Sequence, residues 1–149
     1  MPYNQPKITH MEFTRNASAN WQGTGMEGKG TISTQSTTLD KAQLSFKTRF
    51  ADGVGTNPEE LIGAAHAGCF TMKLSFVLSE LGFTPENLDT VAKVTFEDGK
   101  ITTITLDLTA TVSNISEEQF QEAAKNAKEN CPVSQLLNAE IILNAKLVK

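Results

Sequence analysis

Cysteine is scarce in this 149-residue chain: there are two, Cys69 and Cys131, 62 positions apart. That number and spacing exclude a disulfide-rich scaffold and a Cys-x-x-Cys motif. With only two histidines in addition, there is no pattern of zinc ligands, and no metal or other cofactor is expected. Positive charge is equally thin. Thirteen Lys plus Arg stand against seventeen Asp plus Glu, a net charge of −4, which leaves no basic face for nucleic acid. No basic run followed by an apolar stretch opens the chain, so no secretory signal is expected, and Asn16-Ala17-Ser18 and Asn114-Ile115-Ser116 carry no meaning as glycosylation matches. The longest apolar segment is interrupted by His66 and Lys73, which is expected to exclude an ordinary membrane span. The expectation is a cytoplasmic protein, in which both cysteines stay reduced unless chemistry oxidises them. At 39% hydrophobic and 20% charged, the chain is that of a globular protein.

Residues 1–16, with Pro2 and Pro6, are expected to form a loosely ordered arm, and 17–149 a single domain. From Ala17 to Phe50 short β segments alternate with glycine-rich turns. Gly23-Thr24-Gly25-Met26-Glu27-Gly28 fits the dinucleotide fingerprint in letters only. The next segment, Thr31-Ile32-Ser33-Thr34, is strand-like rather than helical, so a hairpin loop is the expectation. A helix should open at Asn57, with Pro58 in the first turn and Glu60 at the capping-box position, and should end near Leu81 before Gly82. Its centre is apolar nearly all round and rich in glycine and alanine, which predicts burial with another backbone close by. Val91–Val112 reads as a hairpin about Asp98-Gly99. A second helix should start at Ser116, carry the stripe Phe120, Ala123, Ala124, Ala127 and Cys131, and yield to a short turn at Pro132. Ile141, Leu143, Ala145 and Leu147 alternate as a last strand.

A thiol reacts as its thiolate, so a reactive cysteine needs a nearby positive group. Cys69 lies about three turns into its helix, beyond the reach of that helix's dipole, whereas Cys131 directly precedes a helix start; by this criterion Cys131 is the better placed. Arg49 is one of only two arginines, in Phe46-Lys47-Thr48-Arg49-Phe50, and its planar fork can hold a thiolate and a carboxylate together. The alternative is a surface arginine at a strand end. Glu59 is the candidate carboxylate, or else a first-turn acid answering the helix dipole. On one continuous helix it sits about 15 Å from Cys69 and on another face, so a shared site would need Glu59 from a second subunit. His66 is read as a hydrogen-bonded core residue. Phe70, Met72, Phe76 and Phe83 are candidates for an apolar pocket, with core packing as their default.

Thr48-Arg49-Phe50, Gly55-Thr56-Asn57-Pro58-Glu59-Glu60-Leu61-Ile62, Ala64-Ala65-His66-Ala67-Gly68-Cys69-Phe70 and Cys131-Pro132-Val133-Ser134 together resemble the osmotically inducible protein C family of thiol peroxidases. The resemblance runs from about Trp21 to Lys146. It is closer to that branch than to the organic hydroperoxide resistance branch, because Arg49 precedes the Asn-Pro-Glu-Glu helix. It implies an α/β fold in which two subunits intertwine, with curved antiparallel sheets wrapped around long central helices. It further implies that Cys69 attacks the peroxide, that Cys131 resolves the sulfenic acid as an intrasubunit disulfide, that Arg49 stabilises the thiolate and that Glu59 positions Arg49. The implied partners are an organic hydroperoxide, a dithiol reductant of the lipoylated-protein kind and a second copy of the chain, with neither nucleic acid nor membrane. Two readings of other classes compete: a dimeric binder of apolar ligands that uses no thiol chemistry, and an acyl-thioester hydrolase.

Overall fold

The computed structural model describes residues 11–149. The proposed arm therefore lies partly outside the described residues, and 11–16 carry no regular secondary structure. The chain divides into two compact units, one ending at Thr56 and one spanning Asn57–Lys149.

The first unit is a three-stranded antiparallel sheet in the order β1 (Ala17–Gln22), β2 (Lys29–Thr34), β3 (Ala42–Leu44). The glycine-rich segment is the β1–β2 hairpin loop, as expected, with Trp21 paired to Gly30 across the strands. Gly30 is required there. A Cβ at that position would come within 2.4 Å of the Trp21 ring. Where β character was expected to continue to Phe50, residues Phe46–Phe50 form a short helix, α1. Ser45 and Thr48 close a reciprocal capping box at its start: Ser45 Oγ accepts from the Thr48 N–H, and Thr48 Oγ1 accepts from the Ser45 N–H.

The second unit begins with α2 (Pro58–Glu80), unbroken over 23 residues. Asn57 caps it, its Oδ1 accepting from the Glu60 N–H at 2.8 Å, while the Glu60 carboxylate takes a bond from the Asn57 side-chain amide. At the other end Phe83 N–H bonds to Leu78 O and Gly82 N–H to Ser79 O, with Gly82 at φ +88°. This double bond pattern needs the left-handed backbone that glycine supplies. The chain returns as β4 (Pro85–Glu97) and β5 (Lys100–Val112), antiparallel about Asp98 (φ +49°) and Gly99 (φ +80°), a turn whose twist matches that of the strands. Then come α3 (Glu117–Asn130), α4 (Pro132–Leu136) and β6 (Glu140–Leu147), which pairs parallel to β5. The sheet order is β4-β5-β6.

The core lies between this sheet and the two longer helices. Ile104, Leu106, Leu108, Ala110 and Val112 face inward from β5, and Phe120, Ala123, Ala124 and Ala127 face them from α3. Each fully buried leucine or phenylalanine contributes about 1.5–3 kcal/mol relative to exposure. From α2 come His66, Phe70, Leu74, Val77 and Leu78. The expectation that α2 is buried all round holds on this side only: Ala64, Ala65, Gly68 and Met72 are exposed in the single chain. Close backbone approach occurs at Gly63, where a Cβ would lie 3.3 Å from Val94 Cγ2. At Gly68 a Cβ would meet nothing within 4 Å. By length and composition alone α2, with a mean hydropathy of 1.4 over its most apolar window, is long and apolar enough to cross a membrane, so His66 and Lys73 do not exclude a span by themselves. Its packing against β4 and α3 accounts for the same composition as that of a core helix.

Candidate functional site: a thiol pair between two helices

Cys69 points from the middle of α2, half-buried, toward the junction of α3 and α4. Cys131 occupies that junction. It closes the apolar stripe of α3, starts α4 with φ −65° and ψ 122°, and is fully buried. The fold thus brings together two thiols far apart in sequence: Cys131 and the backbone N–H of Val133 both lie close enough to act on the Cys69 sulfur. Both cysteines are free thiols.

The electrostatics oppose one another. Burial pushes the Cys69 thiol up, and the neighbouring Cys131 adds to this through its hydrogen bond and its own ionisation. The Val133 N–H and the Lys73 ammonium, one turn further along α2, pull it down. The net direction is upward. Helix position thus favours Cys131, whereas the Val133 N–H at the start of α4 serves Cys69. Lys73 escaped the sequence reading, although its spacing of four from Cys69 on a helix was the signal.

His66, one turn before Cys69, is fully buried. Its Nε2 lies 2.7 Å from Ser134 Oγ on α4, and burial holds its pKa below the usual 6.5. It is the hydrogen-bonded core histidine that the sequence indicated, although Ser134 as its partner was not foreseen.

Arg49 belongs to the unit that ends at Thr56. It is exposed on α1, not at a strand end, with its guanidinium 5.2 Å from the centre of the Phe50 ring. Glu59 sits in the first turn of α2, half-buried. Because α2 is continuous, ten residues separate Glu59 from Cys69 by about 15 Å along the axis, on a different face. Of the four apolar candidates, Phe70 is fully buried core and Phe83 packs beside it. Met72 lines an open groove, with Gly68, Ser75 and Leu88. A second groove, about 500 Å³, runs between α2 and β4 past Glu59, Gly63 and Ala64, away from both sulfurs. Among the described residues no group of three or more His, Cys, Asp or Glu is placed to hold a metal ion.

The same fold recurs in known proteins. Residues 51–146 match the family model described as OsmC-like protein. The chain is 45% identical over 141 residues to Peroxiredoxin OsmC of Escherichia coli, covering 92% of this chain and 99% of that protein. It is 30% identical over 105 residues to Organic hydroperoxide resistance protein-like 1 of Staphylococcus epidermidis, covering 66% of this chain and 75% of that protein. Among solved structures it superposes on the organic hydroperoxide resistance protein OhrB of Bacillus subtilis with a TM-score of 0.66 at 25% identity, over 91% of this chain and 98% of that one. An OsmC-like protein of Mycoplasma pneumoniae shares the fold, with a TM-score of 0.70 at 17% identity over 93% and 100% of the two chains. With the family model matching 51–146 and a relative 45% identical over most of both chains, the chain belongs to the OsmC-like family.

Proposed function

We propose that this protein is a cysteine-based peroxidase that reduces organic hydroperoxides to alcohols. The observation that carries the reading is the thiol pair itself: two cysteines 62 residues apart are brought together in the fold, one half-exposed and the other fully buried. A peroxide must reach the attacking sulfur, whereas a resolving sulfur need only reach its partner. Exposure therefore supports Cys69 as the nucleophile over Cys131, the reverse of what helix position alone favours. The Cys69 thiolate attacks the distal peroxide oxygen. The O–O bond breaks, the alkoxide takes a proton and leaves as the alcohol, and the sulfur becomes a sulfenic acid. Cys131 then displaces water from that sulfur, forming the Cys69–Cys131 disulfide. A dithiol, of the kind carried on a lipoylated protein, takes up the oxidation as its own disulfide and restores both thiols.

The upward balance on Cys69 means that Lys73 and the Val133 N–H do not suffice to form the thiolate. We assign the remaining positive charge to Arg49, which also orients the peroxide, and the positioning of Arg49 to Glu59. The separation of Glu59 from Cys69 along α2 supports a homodimer in which a second copy supplies Glu59. So does the exposed apolar face of α2 at Ala64, Ala65, Gly68 and Met72, which a wrapped, intertwined partner would cover. On this reading 17–149 act as one domain, and curved sheets enclose the paired helices. Recycling between dithiol and disulfide suits a reducing compartment, the cytoplasm. Apolar surface near the thiols favours an alkyl peroxide over hydrogen peroxide, at about 0.8 kcal/mol per buried methylene.

The test is consumption of cumene hydroperoxide with dihydrolipoamide as reductant, beside Cys69→Ser. Turnover in the parent and none in the variant is expected. No turnover in either, with both thiols still free, would return the chain to apolar-ligand binding. Thioester hydrolysis that survives alkylation of both cysteines would identify the hydrolase instead.

A further inference from the structure

His66 is costly where it stands. A fully buried imidazole loses its hydration, and an apolar side chain of similar volume would fill the space without that penalty. Its Nδ1 has no hydrogen-bond partner among the described residues, so the site is only half satisfied. The polar bond it keeps, Nε2 to Ser134 Oγ at 2.7 Å, must therefore supply something that packing alone does not. Placing the proton on Nε2 lets it donate to Ser134 and leaves a bare lone pair on Nδ1; the other tautomer would bury an unpaired N–H.

The structure points to what is gained. Helix α4 has five residues, too few to hold a helix by its own hydrogen bonds, and its first residue lacks a side-chain cap. Its place therefore depends on tertiary contacts. Ser134 is next to Val133, whose N–H acts on the Cys69 sulfur, and one turn from Cys131; His66 is one turn from Cys69 on the facing helix. A single directional bond thus joins the segment carrying the attacking sulfur to the segment carrying its resolving partner. We propose that the His66–Ser134 hydrogen bond is a latch that holds α4 in register on α2, so that Cys131 is already in place when Cys69 is oxidised. His66 and Ser134 are positioning residues that touch neither peroxide nor sulfur. The proposal rests on the peroxidase reading for its consequence, since a sulfenic acid not met promptly by Cys131 takes oxygen from a second peroxide and becomes sulfinic acid, releasing a second alcohol. The latch itself can be measured without peroxide.

Three readouts test it in the full-length protein. The first is the Cys69–Cys131 disulfide equilibrium in a buffer of reduced and oxidised dithiothreitol, which reports how well the thiols are positioned whether or not the protein is a peroxidase. The second is the partition between disulfide and sulfinic acid, read by mass after a fixed excess of cumene hydroperoxide. The third is thermal stability. Ser134→Ala is expected to shift the disulfide equilibrium toward the dithiol by about five- to tenfold, the worth of one buried hydrogen bond, and to raise the sulfinic fraction. Ser134→Thr keeps the hydroxyl and should restore both, and His66→Gln, whose amide can mimic Nε2, should restore them in part. Ile115→Val, a buried core change at the opposite end of α3 from Cys131, should move neither. An unchanged equilibrium in Ser134→Ala would overturn the proposal, and so would an equal shift in Ile115→Val. A shifted equilibrium in a protein that never consumes peroxide would leave the latch standing and remove only the peroxidase reading.

Discussion

Lys73 gives the sharpest test of the thiol's electrostatics. It lies four residues beyond Cys69 on α2, half-buried, and acts on the sulfur through its charge. Side chains at that spacing stand about 6 Å apart, and a unit charge at 6 Å in water contributes roughly 0.7 kcal/mol to a thiolate. Removing it in Lys73→Gln lowers the thiolate population about threefold below the thiol's pKa. Reversing it in Lys73→Glu doubles the energy to about 1.4 kcal/mol, or tenfold. A less acidic thiol is also a better nucleophile, so only about half of each factor, on a logarithmic scale, survives in a rate. The expected result is therefore a fall of about twofold for Lys73→Gln and three- to fourfold for Lys73→Glu. The assay is alkylation of Cys69 by iodoacetamide at pH 7 and low salt in a Cys131→Ser background, which isolates one sulfur. Half-molar salt should shrink both differences if they are electrostatic. An unchanged or faster rate in Lys73→Glu would refute the assignment.

Burial keeps the His66 pKa below 6.5, so the folded chain refuses a proton that the unfolded chain accepts. Stability is then complete above pH 6.5 and falls as the pH drops below it, by up to about 1.4 kcal/mol per unit; urea midpoints between pH 7 and 5 should show this slope and His66→Gln should flatten it, and equal slopes would count against it. Ser116 and Gln119 close a reciprocal box at the start of α3, and Ser116→Ala should remove about 1 kcal/mol and lower the melting temperature by roughly 2–4 °C; no change in calorimetry would show that the box contributes nothing. Gly68 has open space in the single chain, so Gly68→Leu should leave its own fold intact while blocking a second copy. Sedimentation should then find a monomer, and an undiminished dimer would place the interface elsewhere.

Much of the second unit was legible because its signals are local. Asn57-Pro58 and Gly82 bracket α2, Ser116 and Gln119 open α3, Asp98-Gly99 turns the hairpin, and alternation marks β6. Helix α1 was not, since five residues hold barely one turn and show no period; the box between Ser45 and Thr48 was its one local sign. The direction of β6 was equally hidden, because Ile141 to Leu147 alternate identically whether parallel or antiparallel to β5. An apolar helix surface does not say which side its own chain covers, so α2 looked buried where Ala64 and Gly68 are open. Residue chemistry nominated both cysteines, but their meeting depends on how α3 and α4 lie against α2, and that is a tertiary fact.

The long loop between the thiols has a thermodynamic consequence. Joining Cys69 to Cys131 closes a ring of about 60 residues, which by chain entropy stabilises the folded protein by about 4 kcal/mol over its dithiol form. By the same cycle, the folded pair is harder to reduce than the same pair in an unfolded chain, by about 90 mV. The oxidised intermediate is therefore the protein's sturdiest form. Each turnover ends with the reductant undoing a cross-link that the fold itself favours, so in a reductant-poor cell the molecules accumulate in a state protected from heat and proteolysis.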